Sequence, residues 1–132
     1  MITTGMSGNF EVVVNDTNTA ATMKSGSLEV FATPALVAVL EAASVAAIEN
    51  ELDDGYTTVG CGISITHTAP TVTGVKVMAT ATVKEVLDRR IVFNVIAKDE
   101  NGIIGEGEHT RAIVNKAKFM SKAIIRSESN VN

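Results

Sequence analysis

At 132 residues the chain is sized for one domain with a substantial core, and 45% apolar residues is ordinary for a globular protein. A net charge of −4 excludes a general nucleic-acid binder, which needs a concentrated basic face. A lone cysteine, Cys61, excludes an internal disulfide and reads as a small buried residue of an apolar strand. Met1 to Gly5 lacks the basic start and apolar run of a signal peptide. No stretch offers the roughly 18 uninterrupted apolar residues of a membrane span, so the expectation is a cytoplasmic protein without membrane contacts.

In chain order, Phe10 to Val14 is a short β-type run closed by the turn-prone Asn15-Asp16. Residues 17–29 are polar with Gly and Ser and predict a loop. Thr33-Pro34 predicts a helix start, with Thr33 as the cap and Pro34 in the first turn. The Ala-rich run from Ala35 to about Leu52 continues as helix until Asp53-Asp54-Gly55. The second half alternates with period two. Val59, Cys61, Ile63, Ile65 and His67 share one face of a strand; Val75, Val77, Ala79, Ala81 and Val83 share another. Arg89-Arg90 opens a third, carrying Ile91, Phe93, Val95 and Ala97. Asp99-Glu100-Asn101-Gly102 predicts a hairpin into a last strand from Ile103 to Asn115. Residues 1–9 and 127–132 are expected to fray.

One strand, one long helix and four antiparallel strands predict an α+β hotdog fold, a curved sheet wrapped round a single central helix, spanning 1–132 as one domain. Six alanines of the helix (Ala35, Ala38, Ala42, Ala43, Ala46 and Ala47) would let the sheet approach closely. Uncovered sheet edges favour a homodimer or a tetramer.

Three side chains resist a purely structural reading. Between Ala35 and Ile48 the polar residues are Glu41 and Ser44, and a carboxylate amid apolar neighbours suits chemistry better than packing. His67 projects with Ile63 and Ile65 toward the helix, where an inward Glu and an inward His can do acid–base work together. Thr33 is explained as a cap, and its hydroxyl can equally orient water or an acyl group. Thr33 and Glu41 lie eight residues apart, a rise of about 12 Å on straight helix, so they do not touch on one regular helix. The glycines of Gly60-Cys61-Gly62 allow close packing, a bulge, or an exposed amide for an oxyanion. His109 and Arg111 share a face of the last strand, either as a surface pair or as ligand contacts. The spacing of His and Cys offers no metal site, and no phosphate loop, dinucleotide fingerprint or Gly-x-Ser-x-Gly elbow occurs.

Three segments in order carry a resemblance: Val30-Phe31-Ala32-Thr33 continuing to Glu41, Gly60 through Ile65-Thr66-His67-Thr68-Ala69, and Gly107-Glu108-His109-Thr110-Arg111-Ala112. Together they resemble the fluoroacetyl-CoA thioesterase branch of the hotdog superfamily over roughly residues 28–119. The resemblance implies hydrolysis of an acyl-CoA thioester without a cofactor, the coenzyme A being part of the substrate. It implies Thr33, Glu41 and His67 as reacting residues, Gly60 beside the thioester carbonyl, Arg111 in support, and Phe31 among the substrate contacts. Fluoroacetyl-specific members carry bulky aromatics in the loop before the helix. Here that loop reads Lys24-Ser25-Gly26-Ser27-Leu28, so a different short or medium acyl-CoA is expected. A hotdog hydratase fits less well, because both histidines fall on strands. A binding protein that keeps the fold without turnover is the non-enzymatic alternative.

Overall fold

A computed structural model of the chain describes residues 1–128. Strand β1 (Ser7–Val13) is followed by a short helix α1 (Ala20–Met23) and the long helix α2 (Thr33–Ile48). A 3-10 turn over Glu49–Glu51 leads to β2 (Tyr56–His67), β3 (Lys76–Leu87), β4 (Arg90–Asp99), β5 (Gly102–Asn115) and the terminal helix α3 (Lys116–Glu128). All neighbouring strands are antiparallel in the order β1-β3-β4-β5-β2, which leaves β1 and β2 as edges. The sheet curls round α2, giving the expected hotdog fold.

The core follows from the period-two runs. Val77, Ala79, Ala81 and Val83 of β3 and Ile91, Phe93, Val95 and Ala97 of β4 are buried against Leu36, Leu40, Ala43 and Ile48 of α2. β1 crosses α2 closely at Gly8, where a side chain would run into the backbone of Ala43, Ala46 and Ala47. Of the six alanines, Ala35 and Ala43 are buried, Ala42 and Ala47 half-buried, and Ala38 and Ala46 exposed. The helix is therefore apolar on its outer side as well. By length and composition Thr33–Glu51 would suffice to cross a membrane, yet its inner side is packed on the sheet as the core helix.

Several local expectations change. β1 begins at Ser7, because Ser7 to Asn9 pair with Thr82 to Thr80 rather than fraying. The segment read as loop holds α1, whose first turn is capped by the Thr19 hydroxyl accepting from the Thr22 amide. α2 ends at Ile48 instead of Leu52, the last turn tightening into the 3-10 segment before Gly55 turns at φ 83°. α3 continues through Ser127 and Glu128, and residues 129–132 lie outside the described residues.

The most consequential change is in β2. Gly60 pairs with Arg111 and Gly62 with Thr110, so Cys61 is an extra residue, a β-bulge. The bulge turns Cys61 out to solvent, contrary to the buried reading. It also reverses the alternation, so that Thr58 and Gly60 face inward before it, and Ile63, Ile65 and His67 after it.

Gly107 of β5 lies against β2, where a Cβ would meet the Ser64 carbonyl and Ile65 Cα. Gly107→Ala is expected to lower unfolding free energy by about 1–3 kcal/mol, as overpacking against rigid backbone does. Denaturant titration checks this; a variant as stable as the wild type would show that β2 shifts freely.

Candidate active site

The α2 N-terminus places the first group. Ala32 occupies the capping position and no side chain caps the helix. Thr33, the residue expected to cap, is the first helical residue; its Oγ1 lies 2.8 Å from His67 Nδ1 at the far end of β2. Thr33 is exposed and His67 half-buried. A cleft of about 270 Å³ opens beside the pair, lined by Ala20, Ser25, Val30, Phe31, Pro70 and neighbours. Phe31 is buried and forms part of the cleft wall. The loop singled out before the helix reaches the same cleft through Ser25.

His67 Nε2 is buried without a well-formed hydrogen bond. Desolvation lowers the His67 pKa from the ordinary value of 6.5, and the Ala69 backbone offsets this in part, although that contact falls short of hydrogen-bond geometry. A buried, easily deprotonated imidazole beside a hydroxyl suits proton transfer near neutral pH.

A second group gathers about one helical span further along. Arg111 on β5 is buried and directs four of its five N–H groups at neighbours. Nε donates to Thr58 Oγ1 at 2.9 Å, Nη2 to the Thr58 carbonyl at 3.1 Å, and Nη1 to Glu41 Oε2 at 3.2 Å. Nη1 also lies 3.1 Å from His109 Nε2. Glu41 keeps 40% of its side chain exposed, with the His109 Nε2 edge 3.8 Å from Oε2. A Cβ on Gly60 would stand 2.8 Å from that carboxylate oxygen, so the glycine leaves the room Glu41 occupies.

His109 orders this group. Its Nδ1 is 2.8 Å from the Gly62 carbonyl, which can only accept, so the ring proton sits on Nδ1 and Nε2 accepts from Arg111. The ring also stacks on Phe93, with centroids 6.3 Å apart. Burial lowers its pKa first and the Arg111 charge adds to this, against the opposing Gly62 carbonyl and Glu41. His109 thus ties the bulge to the guanidinium. Alternation on β5 pairs it with Arg111, and the register with β4, which sets Phe93 opposite His109 and Ile91 opposite Arg111, turns the shared face inward.

Within one chain the structure therefore makes two groups, Thr33 with His67 and Glu41 with Arg111 and His109. The sequence suggested that Glu41 and His67 meet, but one straight helix holds Thr33 and Glu41 apart. Among the described residues no group of three or more His, Cys, Asp and Glu could hold a metal ion.

Both histidines have depressed pKa values, so the unfolded chain takes up their protons first on acidification. Stability from these groups is complete above pH 6.5 and falls as pH drops below that ordinary value toward their folded values. Thermal melts at pH 7.5 and 5.5, on the order of one unit either side, should show the lower midpoint in acid, with a smaller difference in His67→Gln. An unchanged or higher acid midpoint would contradict the buried neutral rings.

The family model described as fluoroacetyl-CoA-specific thioesterase, FlK, matches residues 14–117. A fluoroacetyl-CoA thioesterase of Streptantibioticus cattleyicolor is 40% identical over 94 residues, covering 71% of this chain and 68% of that protein. A solved threonine-to-serine variant of FlK in complex with acetyl-CoA superposes with TM-score 0.89 at 32% identity, covering 95% of this chain and 98% of that one. A Thermus thermophilus thioesterase superfamily member superposes with TM-score 0.90 at 27% identity, covering 98% and 96%. With the family model spanning most of the chain and the fold matched end to end, the chain belongs to the fluoroacetyl-CoA-specific thioesterase family.

Proposed function

We propose that the protein hydrolyses a short- or medium-chain acyl-CoA to the free acid and coenzyme A, with Thr33, Glu41 and His67 as the reacting groups. The observation that carries this is the 2.8 Å contact between Thr33 and His67 at the wall of the cleft. Membership of the fluoroacetyl-CoA-specific thioesterase family supports thioester hydrolysis. Ala20 and Ser25 line the cleft where bulky aromatics would narrow it, which favours an acyl group larger than fluoroacetyl.

In this reading the thioester carbonyl lies between the Gly60 backbone and the Thr33–His67 pair. Glu41 either adds to the carbonyl carbon or takes the proton from a water that does. Negative charge developing on the carbonyl oxygen is met by a backbone donor at Gly60 beside the bulge. The carbon–sulfur bond then breaks and the coenzyme A thiolate leaves, taking up a proton; where Glu41 has itself added, water then cleaves the resulting anhydride, releasing the acid and restoring the carboxylate. With its proton on Nε2, His67 leaves Nδ1 free to accept from the Thr33 hydroxyl as it orients water or substrate. Arg111 holds the Glu41 carboxylate at its working position, and Phe31 backs the acyl group.

Such a site needs a second copy of the chain. Along one helix Thr33 and Glu41 are about 12 Å apart, while a homodimer joined at the free β2 edge brings Glu41 of one copy toward Thr33 and His67 of the other. β2 supports this as an unpaired edge with exposed Cys61, Gly62, Ser64 and Thr66. Dimers can pair further into tetramers through the apolar outer side of α2. The acyl-CoA substrate and the unpaired Cys61 both suit a reducing, cytoplasmic setting.

Release of free thiol from a panel of acyl-CoAs, acetyl through long-chain and aromatic, tests the proposal directly. Wild type should turn over short or medium members, and Glu41→Gln should lose at least about a hundredfold in kcat/KM. Wild type that is folded and hydrolyses no member would overturn it in favour of a binding role.

A further inference from the structure

Chemistry at Glu41 leaves a second concave site unexplained. Where β5 runs into α3, a groove of about 210 Å³ is lined by Arg89, Ile113, Val114, Asn115, Lys118, Phe119 and Lys122. Three of these side chains are cationic and none is acidic, in a chain whose net charge is −4. Among the described residues Arg89, Lys118 and Lys122 take part in no ion pair. Glu51, Asp53 and Asp88 line a neighbouring cleft that shares Arg89 and Ile113 with the groove, and none of them lines the groove itself. A gathering of unneutralised cations is costly unless an anion is expected there.

Local sequence builds this groove deliberately. The Asn115 side chain accepts from the Lys118 amide at 3.0 Å, opening α3 as β5 ends. That start puts Lys118 and Lys122 four residues apart on one face of α3, with Phe119 beside them. The Ile113 amide donates to the Arg89 carbonyl at 2.8 Å, which seats the β3–β4 turn and its guanidinium at the opposite wall. The lining joins apolar Ile113, Val114 and Phe119 to three cations, the two kinds of contact that a flat ring bearing phosphates requires.

Its position links it to the site. Arg111, Ile113 and Asn115 succeed one another on the same face of β5, so the groove begins about 7 Å along the strand from the Arg111–Glu41 pair. A thioester carbonyl near Gly60 would direct its leaving thiol arm along that face.

We propose that this groove binds the phosphate-bearing nucleotide end of the coenzyme A thioester, with Arg89, Lys118 and Lys122 holding the phosphates and Ile113 and Phe119 the ring. The proposal rests on the acyl-CoA reading above, and it makes the protein selective for the carrier as well as for the acyl group.

The test uses the full chain and its charge-reversed variant Lys118→Glu/Lys122→Glu, with Lys118→Gln/Lys122→Gln as the neutral counterpart. Calorimetry compares binding of free coenzyme A with that of pantetheine, which lacks the phosphates. Kinetics compares an acyl-CoA with the matching acyl-pantetheine. Coenzyme A affinity and the preference for acyl-CoA should each fall at least about tenfold in the Glu variant, less in the Gln variant, and the wild-type preference should shrink as salt screens the contacts. Equal coenzyme A affinity in wild type and both variants, or an equal loss toward pantetheine, would overturn the groove assignment. Wild type that binds coenzyme A through these lysines yet hydrolyses nothing would instead overturn the hydrolytic reading and leave the groove standing.

Discussion

The buried guanidinium of Arg111 is the constraint on which the site depends. A cation taken out of water is tolerated only where its donors find partners, and Thr58, His109 and Glu41 supply them on three sides. Each partner is there for a separate structural reason. Thr58 faces inward because the bulge at Cys61 reverses the alternation of β2. His109 faces inward on β5 and is fixed by the Gly62 carbonyl on the near side of the same bulge. Glu41 can lean over because Gly60 has no side chain to block it. One extra residue in an edge strand thus sets the position of the carboxylate, and the guanidinium transmits it.

The same physics explains why the site is spread out. A hotdog sheet wraps one helix, and a helix cannot bend two residues eight apart into contact. Thr33 and Glu41 therefore mark two ends of a surface rather than one pocket, each backed by a different end of β2. The chain's free strand edge, the exposed Thr33 and the half-exposed Glu41 are the features on which the proposed two-copy site rests. The hotdog thioesterase family provides the chemistry, while the bulge and the helix length decide how this chain distributes it.

Much of this was legible in the residues. Alternation over Val77 to Val83 and Ile91 to Ala97 gave the core strands, and Asp99 to Gly102 the hairpin, because burial on one face leaves a period of two. Glu41 stood out since a carboxylate in an apolar helix has few structural reasons to exist. The errors were those of context. Thr33-Pro34 has the pattern of a helix cap, but the competing partner, His67, is far along the sequence. The Gly60-Cys61-Gly62 run admitted a bulge without requiring one, and parity past an unrecognised bulge misplaces every residue before it, Cys61 included. His109 and Arg111 looked like a surface pair as much as a ligand site, because a strand's pattern gives a shared face and not its direction. The last turn of α3, Ser127 and Glu128, looks frayed in the sequence because both residues are polar and no core demands them there.

The central claim is that one working site draws Thr33 and His67 from one copy and Glu41 from the other. Mixing inactive chains tests it without reference to any single substrate class. Glu41→Gln and His67→Ala chains, each inactive alone, are co-expressed and the mixed dimers purified and assayed for thioester hydrolysis. Shared sites leave one intact pairing in each mixed dimer, so activity should return to about half of the wild-type value per dimer. Mixed dimers as inactive as their parents would show that each chain assembles its whole site alone, and the account would be contradicted.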